Sequence, residues 1–438
     1  MPINNSSQGN GRAAEQKKTP AIKYKADIER GVVITTYERN GWVRTEGDDW
    51  TIGWFNVGNI RAMFHPDSAV RLTDQQMVNH YPNHWELTRK DTMVKNIKRY
   101  MRDTKDGSEA DNSQVTGTGE YTFKDGYIPV TYNLPADYNI FVEEFKRNPS
   151  AMWIMKPTNM AQGKGIFIIN KLSQLKKWAN NKTGSNVPRA SYIISRYIEN
   201  PLLVGGKKFD LRLYVLVTSF RPLRAYLSLH GFARFCNVKY SSDAAELDNP
   251  YIHLTNVAIQ KHNDDYNNVH GGKWHIRDLR LYLESTRGAE ATERLFSKMN
   301  QLIVHSLLAC QDVMINDRHC FECYGYDLLI DDDLKPWLVE VNASPSLSPS
   351  TKSDRSMKLS LLRDIYRIVV PQDPQMRAEW RGAVHSGPMK DVGSFVVLYD
   401  EAEATASAED TQRDRGSSRK NEDDDETFNM PKSLLGTC

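Results

Sequence analysis

The sequence predicts a fold of mixed α and β structure (α+β), because two kinds of segment recur along its length. Apolar runs rich in β-branched and aromatic residues indicate strands, and they occur at 192–198, 209–218, 223–229, 324–330 and 337–341. Segments with apolar residues every three or four positions indicate amphipathic helices, and they occur at 87–101, 275–287, 291–314 and 359–370. The 438 residues are enough for two or three domains or for one elaborated domain.

Composition restricts the class of protein and its compartment. Hydrophobic residues make up 39% and charged residues 26% of the chain, as in soluble globular proteins. The 57 Lys and Arg residues nearly balance the 55 Asp and Glu residues, so the net charge gives no reason to expect nucleic acid as a partner. No stretch reaches the roughly 20 apolar residues that span a bilayer, so we expect no membrane partner. The five cysteines form no disulfide framework, which predicts a reducing, cytoplasmic location.

The predicted helix 87–101 has one apolar and one basic face. Thr88 is its predicted N-cap. Its apolar positions are Met93, Val94, Ile97, Tyr100 and Met101. Its basic positions are Arg89, Lys90, Lys95, Lys98 and Arg99. A basic helix face is commonly only solvated surface, and the alternative is a contact for an acidic polypeptide.

An acidic turn separates the runs 324–330 and 337–341, which predicts a β-hairpin, although Asp-Asp is a weaker turn signal than Asn-Gly. With a two-residue loop at 332–333, the period of two along strands places Asp327, Glu340 and Asn342 on one face. Two carboxylates and an amide oxygen are costly among apolar neighbours unless a cation compensates them, and oxygen ligands suit Mg²⁺. A three-residue loop would move Asp327 to the other face. The alternative interpretation is an exposed hairpin with a solvated acidic face.

Three further groups of residues point to nucleotide phosphates. Lys156 ends a predicted strand before a glycine loop with Gln162 and Gly163, where backbone N–H groups can approach phosphate oxygens. This strand–loop–strand context fits neither a Walker loop nor a dinucleotide fingerprint, and an ordinary hairpin turn is the alternative. The second group is the alternating charged run 208–212, which can also be an edge strand with salt bridges. The third consists of polar residues in otherwise apolar stretches: Arg234, Thr255, Asn256 and Lys273.

No constellation for covalent or zinc catalysis accompanies these residues in the sequence. Cys320 and Cys323 form a CxxC without a second pair at zinc spacing, and we interpret them as ordinary strand residues. The histidines between 253 and 275 lack the spacing of metal ligands, so we assign no metal to them. Carboxylates for Mg²⁺ together with lysines predict phosphoryl transfer by positioning and charge neutralisation.

Five long segments carry a resemblance to a known family. They are IMKPTNMAQGKGIFIINK, YIENPLLVGGKKFDLRLYVLV, HLTNVAIQKH, CFECYGYDLLID and WLVEVNASPSL. Residues 25–370 resemble the tubulin tyrosine ligase-like family, and within it the short polyglutamylases, in particular the catalytic chain of a multi-subunit tubulin polyglutamylase complex. The resemblance implies an ATP-grasp fold, in which two α+β subdomains hold ATP between them behind a small N-terminal α/β domain.

Composition at the two ends and the resemblance between them together predict a division of the chain. The expected units are a disordered segment 1–23, an N-terminal domain 24–150, a central ATP-grasp subdomain 151–200, a C-terminal ATP-grasp subdomain 201–375 and a mostly disordered tail 376–438. The end of the chain is of low complexity. Because no long basic extension follows Val370, we expect targeting to depend on partner subunits.

Roles for individual residues follow from the resemblance as well. The lysines are expected on the phosphates and the adenine side of ATP, and residues 195–198 on the adenine. The expected ATP-binding residues are Lys156, Gln162, Gly163, Ser195, Arg196, Tyr197, Ile198, Lys208, Phe209, Asp210, Thr255 and Asn256. The expected Mg²⁺ ligands are Asp327, Glu340 and Asn342. The expected binders of the amino-acid carboxylates are Arg234, Lys273 and Lys358. The expected catalytic residues are Lys156, Arg234 and Glu340.

The implied activity is that of an ATP-dependent carboxylate–amine ligase, a tubulin polyglutamylase that requires ATP and Mg²⁺. The γ-phosphoryl group of ATP would activate a glutamate carboxyl of the tubulin C-terminal tail as an acyl-phosphate, and the amine of free L-glutamate would then attack it. The implied partners are tubulin tails on microtubules, free L-glutamate and further polyglutamylase subunits. The implied location is the cytoplasm and cytoskeleton, with the cilium or flagellar axoneme and the basal body.

Three alternatives remain open from the sequence. The same scaffold could add glycine or tyrosine, but Arg234 and Lys273 favour glutamate because glycine has no side-chain carboxylate. The chain could be a non-catalytic microtubule-associated subunit, although the intact set of Asp327, Glu340 and Asn342 argues against this. A ligase for a small metabolite is the third alternative, which the family-like segment 24–103 disfavours.

Overall fold

The computed structural model describes residues 21–27, 31–106, 126–160, 162–180, 191–264, 266, 272–371 and 392–406. Within these residues the chain forms the predicted mixture of α and β structure, with three β-sheets. The disorder predicted for 1–20, 376–391 and 407–438 concerns residues outside these ranges. In the described part of the chain, no helix combines the length and the hydropathy that a membrane crossing requires.

The first sheet is small and parallel. Its strands are β1 (Lys23–Ala26), β2 (Val43–Arg44), β3 (Ile52–Trp54) and β4 (Met77–Val78), in the order β2-β1-β3-β4. The helices of this region are α1 (Gly31–Arg39), α2 (Val57–Met63), α3 (Trp85–Thr88) and α4 (Lys90–Asp106). Two predictions are wrong here. The ordered chain already includes the buried Ile22, and Thr88 ends α3 instead of capping α4.

The second sheet is antiparallel. The elements of this region are β5 (Thr131–Leu134), α5 (Tyr138–Arg147), β6 (Trp153–Pro157), β7 (Phe167–Ile169), α6 (Leu172–Asn180) and β8 (Tyr192–Arg196). The strand order in the sheet is β5-β8-β6-β7. Phe141 of α5 and Leu175 of α6 pack with Trp153 in one hydrophobic core. The predicted domain boundary after residue 150 therefore divides a unit that packs together.

The third sheet is the largest. Its strands are β9 (Leu203–Val204), β10 (Lys207–Phe220), β11 (Leu223–Phe235), β12 (Lys273–His275), β13 (Glu322–Ile330), β14 (Pro336–Asn342) and β15 (Phe395–Asp400). The main order is β12-β11-β10-β13-β14, with β9 beside β10 and β15 beside β11. The remaining helices are α7 (Pro250–His253), α8 (Val257–Gln260), α9 (Ile276–Arg287), α10 (Ala289–Gln311) and α11 (Lys352–Val369).

Side-chain alternation along β10 gives the large sheet two different faces. Phe209 and Leu211 point into a core shared with Leu295 of α10. Tyr214 and its neighbours on the other face pack with Leu361 of α11. Helices therefore cover both faces of the sheet, and the polar positions that alternate with Phe209 lie on the α11 side.

Part of the segment predicted as a mostly disordered tail belongs to the fold. Strand β15 pairs with β11, and residues 401–406 continue as a helix. Asp400 and Arg224 form a buried ion pair at 2.7 Å. The prediction of a mostly disordered tail from 376 onwards is wrong for 392–406, because the strand at 395–400 pairs with β11 of the large sheet.

The hairpin β13–β14 has a different turn from the predicted one. Asp331 pairs with Lys335 through a backbone hydrogen bond of 3.0 Å, so three residues form the loop, with Leu334 at φ 58°. A register shift between Asp327 and Leu328 adds one residue on β14, so that Asp327 lies opposite Glu340. The bulge places Asp327 on the same face as Glu340, which the three-residue loop alone would have prevented.

Candidate active site

A cleft lies between the second sheet and the large sheet. Eleven of the twelve predicted ATP-binding residues line it, namely Lys156, Gln162, Gly163, Ser195, Arg196, Tyr197, Ile198, Lys208, Asp210, Thr255 and Asn256. The two predicted carboxylate ligands Asp327 and Glu340 also line it. Phe209 does not, because strand alternation turns it into the core, where its ring lies 5.2 Å from that of Phe235.

A row of ionised side chains crosses five strands of the large sheet on the cleft side. The register places Lys273 opposite Arg234, Arg234 opposite Asp210, Arg212 opposite Asp327, and Asp327 opposite Glu340. We call these six residues the charged row: Lys273, Arg234, Asp210, Arg212, Asp327 and Glu340. The sequence indicated each charged position, but only strand pairing puts them in one line.

The predicted metal ligands meet at the hairpin. The side-chain amide nitrogen of Asn342 lies 3.4 Å from Asp327 and 3.3 Å from Glu340. Arg212 and Arg234 approach the Asp327 carboxylate to 2.5 and 3.0 Å. Burial raises the pKa of Asp327, and the two guanidinium groups oppose that effect. The arrangement holds two facing carboxylates beside one amide, with cations at both ends.

Lys90 is a site residue that the sequence reasoning assigned to the wrong surface. It begins α4, is buried, and its ammonium lies 2.7 Å from the Glu340 carboxylate. Burial alone would raise the pKa of Glu340, but Lys90 and the hydrogen bond to Asp327 hold it below its ordinary value. A lysine in the first turn of a helix interacts unfavourably with the helix dipole. This mismatch is the sequence signal that could have indicated a role for Lys90 in the site.

The predicted basic face of α4 is not one free surface. Lys98 donates to the Thr131 carbonyl at 2.5 Å, and Arg99 donates to the Ala309 carbonyl at 3.2 Å. Arg89 is paired with Asp91 at 2.7 Å. With Lys90 inside the cleft, the prediction of a five-residue basic surface for an acidic polypeptide is wrong in part.

Two lysines stand on opposite sides of the cleft, the half-buried Lys156 on β6 and the buried Lys208 on β10. Burial lowers the pKa of Lys156 to about 8, although the Glu340 carboxylate works in the other direction. Burial also lowers the pKa of Lys208. Cations that are so poorly solvated are ready to bind anions, because an incoming negative charge replaces the lost hydration.

A chain of hydrogen bonds fixes Lys208. Its ammonium donates to the Tyr197 hydroxyl at 2.9 Å, and that hydroxyl lies 2.9 Å from Nδ1 of His253. The other ring nitrogen of His253 lies 3.0 Å from the Glu246 carbonyl, so it carries the proton and Nδ1 accepts. Burial lowers the pKa of His253, which keeps the ring in this neutral form.

The glycine loop closes one side of the cleft. Gln162 and Gly163 have φ values of 64° and 78°, a region that favours glycine. A Cβ atom at Gly163 would lie 2.5 Å from the Ile259 side chain and 3.0 Å from the Asn256 side chain. The loop therefore contacts the segment with Thr255 and Asn256 closely, and glycine permits that contact.

The three predicted amino-acid binders do not line the cleft itself. Arg234 forms an ion pair with both Asp210 and Asp327. Lys273 and Lys358 both bind the carboxylate of Asp354, at 3.0 and 3.1 Å. Lys358 is only 2% exposed, whereas Lys273 remains partly accessible at the end of the charged row.

The model of the tubulin-tyrosine ligase family matches residues 69–377. The match covers more than half of the chain, including all the residues of the cleft described above. The chain belongs to the tubulin-tyrosine ligase family.

Among its relatives is a protein of Tetrahymena thermophila named "Probable alpha-tubulin polyglutamylase Ttll1", which is 50% identical over 393 residues, 87% of this chain and 94% of the relative. A protein of Bos taurus named "Probable tubulin polyglutamylase TTLL9" is 38% identical over 91% of this chain and 89% of its own. The Homo sapiens protein "Tubulin polyglutamylase TTLL5" is 37% identical over 71% of this chain, which corresponds to 23% of that longer protein.

Proposed function

We propose that this chain is an ATP-dependent tubulin polyglutamylase that adds glutamate to glutamate side chains of the tubulin C-terminal tail. The observation that carries the proposal is the cleft, where Lys156 and Lys208 face the paired carboxylates of Asp327 and Glu340. The names of the relatives at 50% and 38% identity support tubulin as the protein substrate.

We further propose that the two sheets flanking the cleft are the two subdomains of an ATP-grasp fold. The second sheet supplies Lys156 and the 193–198 segment, and the large sheet supplies Lys208, Asp327 and Glu340. Backbone groups of 195–198 would meet the adenine, and the lysines would meet the phosphates. Two surfaces that each contribute cations to one cleft suit a polyanionic nucleotide.

The residues at the hairpin fit a magnesium ion. In the described part of the chain, no group of three His, Cys, Asp or Glu side chains converges as a metal cluster. Two carboxylates and one amide are nevertheless what Mg²⁺ commonly uses, because waters and phosphates complete its shell. Asp327, Glu340 and Asn342 would hold the ion, with the amide of Asn342 turned so that its oxygen faces the cation. When bound, Mg²⁺ would neutralise charge on the nucleotide phosphates.

The proposed reaction joins a carboxyl to an amine in two displacements. A carboxylate oxygen of the tail glutamate attacks the γ-phosphorus of ATP, the bond to the β-phosphate oxygen breaks, and ADP leaves. The resulting acyl-phosphate is electrophilic, so the neutral amine of free glutamate attacks its carbonyl carbon. The carbon–oxygen bond to the phosphate breaks, and inorganic phosphate leaves with the proton that the amine nitrogen gives up. Lys156 and Lys208 hold the phosphates in line and stabilise the developing charge.

Glutamate is the amino acid that the charges favour. Lys273 is the accessible cation at the end of the charged row, and glycine would leave it without a side-chain carboxylate. Arg234 is bound to two carboxylates in this structure, so it supports glutamate less directly than the sequence suggested. Dependence on partner subunits, binding to microtubules and a location in the cilium or at the basal body remain proposals.

Mass spectrometry of tubulin tails tests the function. Tubulin is incubated with the full chain, ATP, Mg²⁺ and an equimolar mixture of glutamate and glycine. We expect a ladder of added glutamates that requires ATP. A glycine ladder would overturn the choice of amino acid. If the isolated chain is inactive, a cell extract is added, and a ladder that then appears would identify a need for partner subunits.

Glu340→Gln is the matched control for that experiment. The amide keeps the shape of the side chain but removes the charge that pairs with Lys90 and would bind the cation. We expect no ladder, with the circular dichroism spectrum unchanged. Full activity of this variant would contradict the assignment of Glu340.

A further inference from the structure

The cluster formed by Lys273, Asp354 and Lys358 joins two distant parts of the chain. Lys273 comes from edge strand β12, and the other two lie one turn apart on α11. Oδ2 of Asp354 accepts from Lys273 at 3.0 Å and from Lys358 at 3.1 Å. The ring of Phe232 supports Lys273 from another side, with its centroid 4.6 Å from the ammonium.

Asp354 is more deeply buried than a helix cap requires. Its side chain is 4% exposed, and Oδ1 has no hydrogen-bond partner among the described residues. Its backbone N–H donates to Thr351 Oγ1, while Oδ2 accepts from the Ser350 N–H. This reciprocal pattern resembles a capping box, but capping alone does not account for two lysines on the same oxygen.

The cluster is continuous with the cleft. Lys273 lies opposite Arg234, which lies opposite Asp210, a residue that lines the cleft. Strand alternation keeps these side chains on one face of the sheet, the face on which α11 packs. Two lysines and one aspartate leave the cluster with one excess positive charge.

Accessibility separates the two lysines. Lys358 is 3% exposed in its side chain and also donates to the Ser348 carbonyl at 2.7 Å. Lys273 is 14% exposed in its side chain and is held by Ser350 Oγ as well as by Asp354. Lys273 is therefore the member of the cluster that can meet a ligand.

We propose that Asp354 is a positioning residue that fixes the Lys273 ammonium for a carboxylate of the incoming acidic amino acid. This inference rests on the proposed function. Lys358 neutralises Asp354 from inside the protein and does not touch the amino acid, which differs from the role that the family resemblance implies for it. Lys273 has a long flexible side chain, and the carboxylate removes most of its freedom before the substrate arrives.

Steady-state kinetics of Asp354→Asn test the proposal. The asparagine oxygen can still accept from the Ser350 N–H, so the helix start is preserved while the charge is removed. We expect KM for glutamate to rise about tenfold, as for the loss of one charge-assisted hydrogen bond, with KM for ATP unchanged. Lys273→Ala should raise KM similarly, and the double variant should be no worse than Lys273→Ala alone.

Two control variants distinguish the loss of Lys273 positioning from a general loss of stability of α11. Thr351→Ala removes the cap of the same helix, and Asp364→Asn alters a buried carboxylate of α11 that binds Ser394 instead. Both should lower the melting temperature and leave KM for glutamate unchanged. A rise in KM with Thr351→Ala equal to that with Asp354→Asn would overturn the inference, as would an unchanged KM in Asp354→Asn. Failure of the wild-type chain, with and without extract, to add glutamate would instead overturn the proposed function.

Discussion

The ammonium of Lys90 lies 2.7 Å from the carboxylate of Glu340, and this pair joins the first turn of α4 to strand β14. Both residues line the cleft. The contact makes the N-terminal region part of the site, because α4 supplies a cation to the same carboxylate that is proposed to bind Mg²⁺.

Lys90→Met tests whether that cation matters for the reaction. The methionine keeps the length of the side chain but leaves the Glu340 charge without this partner. We expect turnover to fall about 100-fold, the usual scale for removing one charge-stabilising group. The rate of glutamate incorporation into tubulin measures this change in turnover. Lys95→Met, on the exposed side of the same helix, should be indistinguishable from wild type, and an active Lys90→Met variant would contradict the assignment.

The pH dependence of nucleotide binding should report on Lys156. Its pKa is lowered to about 8, so the ammonium is charged below that pH and neutral above it. ATP prefers the charged form, and its affinity should fall by up to about tenfold per unit above pH 8. Calorimetric titration between about pH 7 and about pH 9.5 measures this. Lys156→Arg should give a flat profile because arginine stays charged, and an equal decline in that variant would exclude Lys156 as the titrating group.

Tyr197→Phe removes the acceptor for Lys208 and leaves the ring in place. A hydrogen bond to a charged group contributes about 1.5–3 kcal/mol, so we expect ATP to bind roughly 10- to 100-fold more weakly. Fluorescence titration with a nucleotide analogue measures the change. Tyr366→Phe is the matched control, since its hydroxyl bonds Tyr37 at 2.8 Å in the α11 core. If both variants weaken ATP equally, the effect is structural and the Lys208 contact is not the cause.

Asp400→Ala should release β15 from the large sheet. The carboxylate pairs with Arg224, and the two side chains are 5% and 12% exposed. Breaking such a buried pair costs about 3 kcal/mol, so hydrogen exchange at 395–400 should accelerate by about 100-fold. Asp49→Ala breaks an exposed pair with Lys23 that solvent screens, and it should leave the protection of β15 unchanged. Unchanged protection of β15 in Asp400→Ala would contradict the role of the pair.

The hairpin β13–β14 has one feature that the local sequence pattern predicts and one that it does not. The sequence correctly predicts that Asp327, Glu340 and Asn342 share one face, yet the assumed two-residue loop is wrong. A three-residue loop and a bulge after Asp327 offset each other. Period-two alternation is a property of each strand, so it is readable locally. The pairing between strands depends on the turn and on the bulge, which depend on packing.

The sequence by itself determined the mixture of strands and helices, the side-chain parity of each strand and most residues of the cleft. The tertiary structure alone decided that Lys90 meets Glu340 and that Lys273 and Lys358 share Asp354. The physical reason is the distance along the chain between the residues that interact. Alternation and helical periodicity arise from the geometry of neighbouring residues, whereas ion pairs between residues far apart in the chain depend on how separate elements pack together.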